Sequence, residues 1–134
     1  MGERVLSGFL SAGLLGILSL SAWLSPSSDG HGTHTQLGMR PCMWAAALDK
    51  PCPTCGMTTS FAHAGEGHWL ESFTTQPMGT LLVILTSVIF WGALAQTLSG
   101  ARLGSMIQPA LRPRVIWTMV ALLMVAWIYK IVTW

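Results

Sequence analysis

The stretch GTLLVILTSVIFWGALAQTL, Gly79 to Leu98, decides the fold. Twenty residues pass without one charged side chain, the length of helix that crosses about 30 Å of hydrocarbon. Two similar runs lie on either side, Val5 to Trp23 and Val115 to Val132, and Lys130 is the only charge in either. The chain therefore reads as an all-α membrane protein with three transmembrane helices at about 5–24, 79–98 and 115–133. A single membrane domain covers 1–134, and a cysteine-bearing loop, 25–77, joins the first two helices.

Composition agrees. Hydrophobic residues make up 51% of the chain and charged residues 9%, far below the ~25% of a soluble domain. The natural partner of such a surface is the lipid bilayer. A net charge of +2 without a basic cluster gives nucleic acid nothing to bind. Trp117 stands near one end of the third run, with Trp127, Tyr129 and Trp134 towards the other, as rings at headgroup depth would. Lys130 is placed where its stem can snorkel to the interface.

The first run ends near Ser19-Leu20-Ser21, a small-x-small cleavage pattern, but it exceeds the ~7–15 residues of a signal-peptide core and reads as a span. Gly8, Ala12 and Gly16 recur at four-residue spacing, a stripe that lets a second helix approach closely. That helix would be one of this chain, or one of a membrane-protein partner or second copy. Arg4, Arg102, Arg112 and Arg114 fall on one side of the membrane, and Arg40, Lys50 and Lys130 on the other. The bias favours a cytoplasmic N-terminus with the cysteine loop outside.

The loop opens with Pro26-Ser27-Ser28-Asp29-Gly30-His31-Gly32, which reads as flexible linker. Short interfacial helices are expected within Arg40–Leu48 and Met57–Ala64, and again around Trp69, Leu70 and Phe73, whose shared apolar face suits the membrane surface. Pro77 starts the second span, where its missing N–H does no harm.

Between the first two short helices lies Cys52-Pro53-Thr54-Cys55-Gly56, with Cys42 upstream. Two cysteines two residues apart bring both sulfurs to one point, and a glycine after the second suits the sharp turn of a metal knuckle. A tetrahedral zinc site would combine Cys42, Cys52 and Cys55 with a histidine. His63 and His68 are the nearest candidates, with His31 and His34 behind them. The same turn could serve a thiol–disulfide carrier through Cys52 and Cys55, with Cys52 the more nucleophilic at a helix N-terminus. It could also form a structural disulfide that staples the loop of an accessory subunit in a larger membrane complex. Gly56 after Cys55 excludes the c-type haem motif. No Ser-His-Asp set, phosphate loop or intramembrane acid pair is present, so an enzymatic role has little support.

From Cys42 to Gly79 the chain resembles a family of small bacterial integral membrane proteins of unknown function. The resemblance rests on Cys42, the Cys52-Pro53-Thr54-Cys55-Gly56-Met57-Thr58 turn, the Gly65–Gly67 stretch and Gln76-Pro77 before a span. It implies a bacterial inner (cytoplasmic) membrane and a joint role for all three cysteines, and it supplies no activity. One departure stands out: the family usually carries arginine after the motif threonine, where this chain has Thr59.

Overall fold

The computed structural model describes residues 2–100 and 112–134. Arg102 lies outside them. Three long helices, α1 (Gly2–Trp23), α5 (Pro77–Ser99) and α6 (Pro113–Val132), are each long and apolar enough to cross a membrane. Each begins or ends within about two residues of its apolar run. Pro77 and Pro113 open α5 and α6 at the first turn, where no N–H is needed. Among the described residues there is no strand, so the chain is an all-α membrane protein.

Between α1 and α5 the chain forms a 3-10 turn (Thr33–Leu37) and three short helices, α2 (Met43–Leu48), α3 (Met57–Gly65) and α4 (Trp69–Thr75). The α2 helix is bounded by Pro41 and Pro51, and Asp49 closes it in the left-handed conformation. Trp69, Leu70 and Phe73 of α4 are exposed, the face expected at a membrane surface.

The long helices α1 and α5 pack along each other, and the loop packs against both of them. The α3 helix packs on both α1 and α5. Gly65 makes this approach possible: a Cβ there would lie 2.7 Å from the carbonyl oxygen of Ser21 and 2.8 Å from Cα of Ala22. Ser60, Ser72 and Thr80 join α3, α4 and α5 through a cluster of hydroxyls. Ser60 Oγ lies 2.9 Å from Ser72 Oγ, and Ser72 Oγ lies 2.8 Å from Thr80 Oγ1. Ser60 and Ser72 are fully buried, and their pairing removes the penalty of polar groups away from water.

Two differences from the sequence expectations follow from long-range contacts. The linker does not float. Thr33 is buried, accepts from the Ser27 N–H at 3.0 Å and shares a 2.8 Å hydrogen bond with the buried Thr59 hydroxyl. The packing face of α1 is also shifted from the glycine stripe. It runs through Ser7, Ser11, Leu14, Leu18 and Ser21, while Ala12 and Gly16 are exposed and only Gly8 nears α5, with its Cβ position 3.7 Å from Thr97. Serine serves here because its hydroxyl bonds back to its own helix, as Ser11 does to the Gly8 carbonyl, leaving a small surface with no unsatisfied donor.

Side-chain donors at the ends fix the up-down-up order. Arg4 donates to the carbonyls of Thr97 and Leu98 and ties the start of α1 to the end of α5. At the opposite end, Trp127 donates to Pro51 O at 2.9 Å and Tyr129 to Thr74 O at 2.9 Å. Lys130 is 6% exposed and donates to the carbonyls of Gly30 and Thr75 at 3.2 Å each. It therefore turns inwards, where the sequence suggested snorkelling. The α6 helix packs only sparsely on α5, and these loop carbonyls help to hold it in place.

Candidate metal centre

Cys42 is the N-cap residue of α2. Cys52 and Cys55 bracket a tight turn closed by the Cys55 N–H on the Cys52 carbonyl at 2.9 Å. Both prolines beside Cys52 are anchored through their carbonyls, Pro51 by Trp127 and Pro53 by the Gln76 amide at 3.2 Å. The backbone carrying Cys52 is thus held from α6 and from the start of α5. Gly56, at φ +85°, turns the chain into α3 in a conformation that other residues seldom adopt.

The result is convergence. The sulfurs of Cys42, Cys52 and Cys55 all lie within 4.8 Å of one another, and all three are free thiols. A zinc–sulfur bond of about 2.3 Å sets sulfurs about 3.8 Å apart around a tetrahedral ion, so a small contraction would close the site. Cys55 is buried, while Cys42 and Cys52 are half-buried.

Their electrostatics differ. Burial pushes the Cys55 thiol up to about 11, and the neighbouring sulfurs of Cys52 and Cys42 add to the rise. The Cys42 thiol is lowered, chiefly by the backbone N–H of Ala45 in the first turn of α2, with help from the Cys52 side chain. The sequence pointed to Cys52 as the thiol activated by a helix N-terminus. The residue that caps a helix is Cys42.

The three sulfurs face a cavity of about 1280 Å³. Ile17, Leu20 and Phe61 give it an apolar wall, and Asp29, His31, His34 and Asp49 also line it. His63 and His68 are placed elsewhere. Cys55 precedes α3 and His63 is near its end, separated along a helix about 13 Å long. Their rings lie 6.4 Å apart, His68 pairs with Glu66 at 3.3 Å, and neither lines the cavity or joins the sulfur group. Sequence spacing put them closest because it cannot show that a straight helix carries His63 away. Lys130 was missed as a neighbour of the site because its contacts come from residues far along the chain.

Residues 42–91 match the family model described as a protein of unknown function (DUF2752). The matched segment begins at Cys42, holds all three cysteines and α2 to α4, and ends within α5. The long helices α1 and α6 lie outside it. No curated protein and no solved structure matches the chain.

Proposed function

We propose that this protein binds a thiophilic metal ion, zinc in the first instance, through Cys42, Cys52 and Cys55 on the outer side of the membrane. The observation that carries this reading is the convergence of three sulfurs from two separate loop positions. Thiolate is a strong ligand for zinc, which does not redox-cycle and can persist in an oxidising compartment. No His, Asp or Glu among the described residues joins the sulfur group. The fourth position therefore opens on the cavity, where water or an exchangeable ligand would complete the tetrahedron. Three protein ligands with one open position suit an ion that is passed on or exchanged better than one locked in a structural knuckle.

Metal analysis of gently purified protein tests the reading. About one equivalent of zinc is expected, lost on replacing Cys42, Cys52 or Cys55 with serine and kept in His63→Ala and His68→Ala. Metal-free protein with a quantitative Cys42–Cys52 or Cys42–Cys55 disulfide would overturn it. The placement of the loop is tested by impermeant labelling of single cysteines engineered at Ser28 and Glu3 in a chain lacking the native three. Ser28 should react on intact cells and Glu3 should not.

A thiol–disulfide carrier is the second reading, supported by the unequal thiols. Cys42, the more readily ionised, would attack a partner disulfide, and a second cysteine would then displace the partner thiol to form an internal disulfide.

A further inference from the structure

Lys130 presents an electrostatic problem. It sits in the last turn of a membrane-spanning helix, and yet its side chain is buried against the loop. Its protein partners are neutral. Two of the three ammonium donors go to the carbonyls of Gly30 and Thr75, and no carboxylate pairs with it among the described residues. A buried ammonium left without an opposite charge is costly, and proteins keep such groups where a negative charge is to be met.

The groups facing Lys130 show what that charge is. Asp29 and Asp49 line the same cavity but are exposed, and neither reaches the ammonium. The ammonium lies instead against the turn that follows Cys55. A Cβ on Gly56 would come within 3.3 Å of Nζ and 2.7 Å of Gly30 O, so the glycine keeps open the space in which the lysine and the Gly30 carbonyl meet. All three cysteines and Lys130 line one cavity.

We infer that Lys130 is the counter-ion of the three-sulfur centre, its ammonium neutralising the charge that three thiolates leave around a bound divalent ion. Three thiolates and one divalent cation sum to a single negative charge, and one ammonium cancels it. The inference rests on the metal reading above and extends it to a residue on the third span, outside the matched segment. It also gives α6 a reason to be fastened to the loop by side chains: the helix delivers the balancing charge.

Zinc titration of the full-length protein in detergent, against a competing chelator, tests the role with Lys130→Arg, Lys130→Gln and Lys130→Met. Arginine keeps the charge, glutamine keeps donors for the two carbonyls, and methionine keeps the apolar stem alone. Zinc affinity should stay near wild type in Lys130→Arg and fall about 10–100-fold in the other two, the range typical of residues that support metal ligands. Equal affinity in all four proteins would overturn the counter-ion role and leave the metal site standing. An equal loss in all three variants would also overturn it, because packing and not charge would then be the cause. Should Lys130→Met fail to fold, Lys130→Gln decides. Wild-type protein that binds no zinc with its thiols reduced would remove the metal reading itself, and this inference with it.

Discussion

The indole N–H of Trp127 donates to the carbonyl of Pro51 across 2.9 Å, fastening the third span to the residue immediately before Cys52. Pro51 is fully buried, so its carbonyl has little access to water as a replacement partner. Trp127→Phe keeps an aromatic ring and removes the donor. Thermal unfolding in detergent should show a loss of about 1–3 kcal/mol, the cost of a buried acceptor left unpaired. An unchanged midpoint would mean that another donor takes over the carbonyl.

Reactivity should rank the thiols. The Ala45 N–H favours the Cys42 thiolate, whereas burial disfavours that of Cys55. Under brief alkylation of metal-stripped protein at mildly alkaline pH, peptide mass spectrometry should find Cys42 modified well before Cys55. Zinc should protect both. Cys55 reacting first would contradict the burial described for it.

Metal-stripped protein should lose stability at alkaline pH. The folded Cys55 thiol titrates at about 11 against an ordinary value of 9.0, so between these values the native state holds a proton that the unfolded chain releases. Stability therefore declines as pH rises from about 9 to about 11, and this decline should be lost in Cys55→Ser. Cys42 acts in the opposite sense: its lowered value favours the fold above the ordinary thiol pKa, and that contribution fades as pH falls through the folded value. Urea midpoints measured from well below the ordinary thiol pKa up to about pH 11 separate the two.

The α1 packing face predicts an unequal response to bulk. Ser11→Leu places a larger side chain at a buried position against α5 and should cost about 1–3 kcal/mol through overpacking. Gly16→Ile points into open space and should leave the monomer fold unaffected. If Gly16→Ile instead disrupts an oligomer while the monomer stays folded, the small-residue stripe contacts a second chain.

The spans and the cysteine turn were legible because both are local. A run without charges and a proline at its start determine where α5 begins, and two cysteines three positions apart meet whatever surrounds them. The face of α1 that packs was not legible. In a lipid-facing helix small and apolar residues compete for the same contacts, and Ser7 and Ser11 are small enough to rival the glycines beside them. Distance along the chain favours His63 and His68 as the fourth ligand, but the rise of α3 converts that nearness into distance from the sulfurs. The Lys130 contacts join residues 100 and 55 positions apart, and no sequence period encodes them.

The hydroxyl bridge from Thr33 to Thr59 gives the departure noted at position 59 a physical meaning. Both side chains are buried and short, and the turn at 33–37 can settle on α3 only because neither projects further. A long cationic side chain at 59 would act as a wedge, lifting that turn from the helix and breaking the hydroxyl bridge. The two threonines are thus matched to each other, and a bulkier residue at either position would oblige the other side of the contact to give way.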